Sequence, residues 1–388
     1  MKGLFIHDHV FYKYSDKHFS PGGLPAVVWE RYLDHVDNLT IISRGKVLDS
    51  DETSGLVLSE KENVNFNLFY NVKGGFDYYK YQRLIKTRLK EQIEKHDLII
   101  IRVPSTIGAF AAEICRKLKK TYITEVVGCA WDSNWNYGSL PIKLQAPFNF
   151  LKMRKVVANS IASIYVTKFF LQGRYPNKGI LSYASNVQIN KNNDSVLENH
   201  IDLIKKEKRL YKLGIIGNLS IRFKGFDVAL NALQLLKKEG VKFKFYLVGG
   251  GDQSYVKSLI GKLNLNDCVE IVGRLESGNK VFEFLDSLDV YIHPSKQEGL
   301  PRAVIEAMSR ACPVLASTVA GIPELIQEKY LHSPGDYKSL YQQLVVVLQK
   351  KVELIEMAKN NFEKSKEYDI ETLSKRRYDF FKEAIKAI

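Results

Sequence analysis

SKQEGLPRAVIEAMSRACPVLASTVAGIPELI, residues 295–326, sets two glutamates, Glu298 and Glu306, on either side of a GLPR break. The apolar run just before it ends a strand, so KQEGL is the loop at that strand's carboxyl end. Pro301 suits the first turn of a helix, which puts Glu298 in the loop and Glu306 about one and a half turns into the helix. PVLAST then reads as the next strand, and a second glycine turn, AGIPE, follows it. Strand, loop, helix, strand is the repeating unit of a parallel sheet covered by helices.

The same rhythm extends in both directions. Upstream lie RLYKLGIIG as a strand, KGFDVALNALQLLKKEG as a helix, KFKFYLVGGG, SYVKSLIGKLNL, CVEIVGR, KVFEFLDSL and DVYIHPS. The first half alternates likewise, from KGLFIHD through PGGLPAVVWERYLDHV, NLTIISRG, YYKYQRLIKTRLKEQIEKH, DLIIIRVPS, GAFAAEICRKLKK and TYITEVVG to KVVANS and KGILSYAS, the last two read as strands. Residues 187–208 are polar and asparagine-rich and interrupt the series. The expected organisation is an α/β chain of two doubly wound, Rossmann-like domains facing across a cleft, with ligands at the carboxyl ends of the strands. Domain 1 covers 1–190, a passage 191–208, domain 2 covers 209–365, and 366–388 forms a final helix. That helix turns Leu373, Tyr378, Phe381 and Ile385 to one side, suited to packing back on domain 1.

With 388 residues and 45% apolar content, the chain exceeds one ordinary core and can fill two. Cys115, Cys129, Cys268 and Cys312 are scattered, with no C-x-x-C, and read as small core residues of a cytosolic protein. The amino terminus lacks the apolar core of a signal peptide, and no run approaches the ~20 apolar residues that span a bilayer. The expected location is cytoplasmic, compatible with peripheral contact at the inner face of the membrane. Net charge +14 calls for an acidic or phosphorylated partner. Zinc-finger spacing, RNP-like strands and polybasic blocks are missing, which argues against nucleic acid. A nucleoside diphosphate, an anionic leaflet or an anionic glycan would use the same charge.

Candidate site residues gather in the second half. In GIIGNLSIRFKGFDVAL, Gly217 and Asn218 follow a strand, and Arg222 and Lys224 stand just before a helix. Unpaired N–H groups at a helix start, with two cations beside them, form an anion pocket fit for a diphosphate; a solvated turn has the same residues. Gly249 and Gly250 of YLVGGGD let the backbone approach a ligand, although no G-x-G-x-x-G is present. A carboxylate accepts two hydroxyls at once, so Glu306 suits the vicinal pair of a ribose and Glu298 a sugar, while N–H groups near Gly299 and Leu300 serve its negative part. Paired carboxylates also serve glycoside hydrolysis, but the RFK element calls for a phosphate, which hydrolysis does not need.

On these residues the second half resembles the nucleotide-sugar domain of the retaining glycosyltransferase family 4, a GT-B fold. GNLSIRFKGFDVALNAL, LVGGGD, VGRL and the 295–326 stretch fall in that family's order, and Glu298 to Glu306 matches its E-x7-E motif. The resemblance implies that Arg222 and Lys224 hold the donor diphosphate and neutralise the leaving group, that Glu298 touches the donor sugar, and that Glu306 binds the ribose. Gly217, Asn218, Gly249, Gly250, Arg274, Gly299 and Leu300 would line the donor, and Gly22 and Gly23 match the family's glycine loop near the acceptor and phosphates. Two positions depart. Val127 precedes Gly128 where most members have a histidine, with Glu125, Asp132 and Arg102 as the nearby polar residues, and Cys312 replaces a usual glycine.

The implied reaction carries a sugar from a UDP-sugar or GDP-sugar to a hydroxyl of a glycan or lipid-linked glycan, with retention, in surface polysaccharide synthesis. No cofactor or metal is expected, because the cations can replace one and no D-x-D element stands out. The rival readings are a nucleotide-sugar epimerase of the same fold and a non-catalytic protein that binds glycan or nucleic acid. Domain 1 would hold the acceptor, its aromatics being dense in GFDYYKYQ and CAWDSNWNYGS. The helix from Tyr78 carries Lys80, Arg83, Lys86, Arg88, Lys90 and Lys95 beside a line of Tyr81, Ile85, Leu89 and Ile93. That pattern fits an anionic leaflet, and equally a sheet cover with its charges in water.

Overall fold

The computed structural model describes residues 1–49, 53, 55–137, 140–191, 193–207 and 210–388. Residues 138 and 139 of the aromatic stretch, and residues 192, 208 and 209 around the passage, lie outside these. Two units emerge: Met1–Trp131 with Leu144–Ala184 and Ser374–Ile388, and Asp132–Lys143 with Ser185–Leu373.

The first unit is built on β1 (Lys2–Tyr14), β2 (Lys17–Ser20), β3 (Asn38–Val47), β4 (Val57–Leu58), β5 (Val64–Phe69), β6 (Leu98–Val103), β7 (Ile123–Val126), β8 (Ala162–Tyr165) and β9 (Ile180–Tyr183). The parallel order is β5-β3-β1-β6-β7-β8-β9. Every residue of β6 is buried, as a strand with both faces covered requires. β1 outruns β6, while β3 accompanies it as far as Lys13, and it folds back into antiparallel β2, on which β4 pairs. The sequence pattern does not reveal this hairpin, because HDHVFYKYSDKHF is too polar to read as strand.

The helix Gln82–Lys95 buries Ile85, Leu89 and Ile93, so its apolar line belongs to the core; Arg83, Lys90 and Lys95 face outward, whereas Lys86 and Arg88 are half-buried against Glu113 and the Phe69 ring. KVVANS is not a strand. It ends the helix Ala146–Ala158, where Met153, Val156 and Val157 recur at helical spacing on the buried side, and the strand is ASIY, just beyond. The final helix, Ile370–Lys386, buries Leu373, Arg377, Phe381 and Ala384, whereas Tyr378 is exposed. Phe381 meets the Tyr32 ring edge-on at 5.6 Å between centroids.

The second unit has β10 (Tyr211–Ile216), β11 (Phe243–Val248), β12 (Val269–Gly273), β13 (Val290–His293), β14 (Val314–Ser317) and β15 (Leu331–His332), all parallel in the order β12-β11-β10-β13-β14-β15. From β10 the chain winds outward through β11 to β12, then returns to the other side of β10 as β13. The direction of winding therefore reverses between β10 and β13, and the carboxyl ends of these two strands are the switch point at which ligands of this architecture occupy a crevice. The polar 191–208 stretch contains a helix, Ser195–Lys205, which belongs to this unit; His200 and Ile204, one turn apart, are its buried face. The four cysteines are buried and unbridged. Among the described residues no helix is long and apolar enough to cross a membrane.

Candidate functional site

Two loops meet at the β10/β13 reversal. The loop after β10 runs Gly217–Ile221 into a 3-10 turn, Arg222–Lys224, and then the helix Phe226–Lys238. The loop after β13 is Pro294–Leu300, leading to the helix Arg302–Ser309. Their backbones touch. Lys296 N–H donates to Phe223 C=O at 2.7 Å, and Gly225, at φ +77°, lies so close that a Cβ would stand 2.1 Å from the Pro294 carbonyl oxygen. Only glycine permits both the conformation and the approach.

A neighbouring platform joins the ends of β10 and β11. Gly217 N–H donates to Val248 C=O and Leu219 N–H to Gly250 C=O, at 2.9 and 2.8 Å. A Cβ on Gly249 (φ +151°) would fall 1.8 Å from the Gly217 oxygen. Asn218 Oδ1 accepts from Ser220 N–H, and Ser220 Oγ accepts from Asp252 N–H. Arg274, just past β12, is exposed. The glycines of LVGGGD thus let two loops lie against each other as one surface.

Side chains complete the crevice. Lys224 Nζ donates to Glu298 Oε1 at 2.7 Å, and His293 Nε2 approaches the same oxygen at 2.9 Å. Tyr291 Oη lies 3.2 Å from His293 Nδ1. An ionised carboxylate only accepts, so His293 presents an N–H at Nε2 to Glu298. Tyr291 and His293 share a face of β13, being two residues apart. Burial would push the Glu298 carboxyl up, but the His293 hydrogen bond and the charges of His293 and Lys224 outweigh it and hold Glu298 down at about 2. Among the described residues no donor reaches its Oε2. A second bridge, Lys296 Nζ to Asp227 Oδ2 at 2.7 Å, ties the loop after β13 to the first turn of the helix Phe226–Lys238, and Asp227 Oδ1 and Gln297 Oε1 are buried without a hydrogen-bond partner among the described residues.

Glu306 behaves oppositely to Glu298. It is half-buried on the helix Arg302–Ser309, and burial raises its carboxyl above the ordinary value, with Arg302 pulling the other way. The helix starts at Phe226 and Arg302 carry no side-chain cap, so their first N–H groups are not satisfied by a neighbouring side chain. Gly299 and Leu300 precede the second of these, and Gly299 C=O accepts from Gly321 N–H of the AGIPE turn, which is how that turn returns to the site. Arg222 departs from the pair expected with Lys224: its exposed guanidinium lies 4.7 Å over the Tyr255 ring while Lys224 holds Glu298.

In the first unit, Gly22 takes φ +100° in open space, and Gly23 lies against His9, whose Cε1 would stand 3.3 Å from a Cβ there. His9 Nε2 bonds Ser20 Oγ at 2.8 Å, and burial foremost, then Arg102 and Arg44, pull its pKa down to about 4. Glu125 is engaged in the core, accepting from Tyr32 Oη at 2.8 Å beside Arg102 at 3.6 Å. Asp8 closes the helix Thr106–Leu118: its carboxylate accepts from Thr106 N–H, Ile107 N–H and Ser105 Oγ. Sequence reading missed His293, Asp227, Lys296 and Asp8. The signal for His293 was its place, two residues from Tyr291 at the end of the strand that feeds Glu298.

Comparison with known proteins gives three findings. Residues 211–350 match the family described as glycosyl transferases group 1. Protein CapJ of Staphylococcus aureus is 34% identical over 346 residues, covering 88% of this chain and 84% of CapJ, and the amylovoran biosynthesis glycosyltransferase AmsK of Erwinia amylovora is 35% identical over 127 residues, 30% of this chain and 31% of AmsK. The crystal structure of Anabaena HepE in complex with UDP and glucose superposes with a TM-score of 0.66 at 17% identity over the whole of both chains, and such structural neighbours are GT-B glycosyltransferases.

Proposed function

Since the chain belongs to the glycosyl transferases group 1 family and is a glycosyltransferase, we propose that it carries a sugar from a UDP-sugar or GDP-sugar to a hydroxyl of a glycan or lipid-linked glycan, with retention at the anomeric carbon, in surface polysaccharide synthesis. The observation that carries this reading is the Lys224–Glu298–His293 cluster in the crevice beside two uncapped helix starts. HepE, solved with UDP and glucose, and AmsK, named for amylovoran biosynthesis, support the donor and polymer classes.

In this reading the pyrophosphate lies against Lys224 and the N–H groups at the start of the helix Phe226–Lys238, with Arg222 turning to it from Tyr255. Glu306 accepts the ribose hydroxyls, and Glu298 offers its free Oε2 to the donor sugar. The hard step is departure of the diphosphate: the bond from the anomeric carbon to the phosphate oxygen breaks as the carbon becomes cationic and the oxygen gains charge. Lys224 and the helix-start dipoles act where that charge grows, with no metal required. The acceptor oxygen bonds the carbon on the face the phosphate leaves, and its proton passes to the departing phosphate oxygen; no protein nucleophile takes part. The first unit takes the acceptor, and the +14 charge suits work at an anionic membrane surface where a lipid-linked acceptor waits.

A panel of UDP-, GDP- and ADP-sugars, followed by thermal shift and product detection, tests this. One of the first two should stabilise the protein, and Glu306→Ala should weaken that nucleotide about 10- to 100-fold, as loss of hydrogen bonds to a charged group does. Stabilisation by none of the panel would remove the reading.

A further inference from the structure

On the first unit, Leu144, Phe148 and Leu151 are 67%, 73% and 61% exposed, at i, i+4 and i+7 along the helix Ala146–Ala158 and the residues leading into it. That spacing sets them on one face. The opposite face already fills the core with Met153, Val156 and Val157, so the helix is apolar on two sides and the fold uses one. Its place is fixed by neighbours: Lys152 and Lys86 lie over the Phe110 ring at 4.9 and 5.1 Å, which ties it beside the helices Thr106–Leu118 and Gln82–Lys95.

The charge carried by this segment of the chain has one sign, and Glu113 on the neighbouring helix is taken up by Lys86 and Lys117 at 3.0 and 2.8 Å. Residues 144–184 contain six lysines and arginines and no aspartate or glutamate. Arg154 and Lys155 stand exposed on the turn after Leu151. By contrast, the helix Gln82–Lys95 mixes its cations with Glu91 and Glu94 and buries its apolar line, so it offers neither property.

We propose that the face formed by Leu144, Phe148 and Leu151, with Arg154 and Lys155, is the surface by which this protein seats on an anionic lipid bilayer. The three apolar side chains enter the boundary between headgroups and acyl chains, and Arg154 and Lys155 bind the lipid phosphates. Leucine and phenylalanine suit that boundary better than a nucleic acid groove, and the excess of positive charge selects an anionic leaflet over a neutral one. This surface rests on the membrane-surface reading given above and adds which residues make the contact.

The test is flotation of the full chain with vesicles of phosphatidylcholine alone and of phosphatidylcholine mixed with phosphatidylglycerol. The wild type should float with the mixed vesicles at low salt, less at high salt, and little with the neutral ones. The triple variant Leu144→Ser, Phe148→Ser, Leu151→Ser should float at least tenfold less while keeping its nucleotide thermal shift, which shows that it is folded. Arg154→Glu with Lys155→Glu should lose the preference for the anionic vesicles. A triple variant that floats like the wild type would overturn the surface alone, leaving membrane association intact. A wild type that never floats would overturn both, without touching donor turnover, which is assayed separately. Sedimentation that shows the wild type as a dimer and the triple variant as a monomer would assign the face to a second copy of the chain instead.

Discussion

The helix starts beside the central strands of the two sheets are finished differently. In the first unit, Asp8 from β1 places its carboxylate on the N–H groups of Thr106 and Ile107 and on the Ser105 hydroxyl, so the protein supplies its own anion. In the second, the helices beginning at Phe226 and Arg302 have no side-chain cap, and the nearby carboxylate, Glu298, is turned to Lys224 and His293. Both sheets place a helix start beside a central strand; one receives a carboxylate from the chain and the other receives no side-chain cap. The nearby acids of the second unit are turned to side chains instead, Glu298 to Lys224 and His293 and Asp227 to Lys296, and this difference is why the proposed anion site falls there.

The largest expected effect falls on the open side. Lys224→Ala should lower kcat by about 10²- to 10³-fold, the usual loss when one group that stabilises developing negative charge is removed, with a smaller change in donor Kd. Steady-state kinetics check it, and equal losses in kcat and donor affinity would assign Lys224 to ground-state binding.

Next come two glycines with positive φ. Gly249→Ala forces a Cβ against the Gly217 oxygen, so it should cost about 3 kcal/mol or more and weaken nucleotide binding. Gly22→Ala meets nothing within 4 Å and should cost only the strain of its backbone, about 1–2 kcal/mol. Denaturant titration separates them; equal losses would mean that the β10/β11 platform yields easily.

Asp8→Ala removes the carboxylate from the closed side and leaves the Ser105 cap on Gly108 N–H. Stability should fall by about 1–2 kcal/mol with donor affinity unchanged. A loss of donor affinity in this variant would break the contrast between the two units.

The smallest effects lie in pH. Glu298 is depressed, so its contribution to stability is present above the ordinary carboxylate value of 4.5 and is lost as pH falls toward about 2. Glu306 is raised, so its contribution is full below 4.5 and is lost as pH rises through its folded value. Glu298→Gln should therefore melt below the wild type at pH 7, with the gap closing in acid, and Glu306→Gln should melt above it at pH 7, with the gap again closing in acid. Tm against pH for both variants reads the two signs.

The second sheet was legible because its strands and helices alternate at clean periods and its glycines and Pro301 stand at the turns. Glu298 and Glu306 could be placed for the same reason: a strand end and a helix start fix where a side chain begins. Where it ends is set by neighbours, which is why Arg222 was paired with Lys224 on paper but lies on Tyr255. His293 escaped notice because a histidine inside the buried VYIH strand looks like core; its role needs the partner loop. Local composition misled elsewhere. KVVANS carries β-branched residues at the end of a helix, and the Ser195–Lys205 helix hides in a polar run whose buried face is mainly His200 and Ile204.

The doubly engaged oxygen of Glu298 has one more implication. Glutamine at 298 would keep its carbonyl for Lys224 and His293, because both donate, and would have to present its amide nitrogen where the second carboxylate oxygen had been. The group offered outward would switch from acceptor to donor. Such an enzyme should turn away from a sugar hydroxyl that gives a proton and favour a deoxyfluoro analogue that receives one, so the polarity of a single contact is encoded by how its far side is tied down.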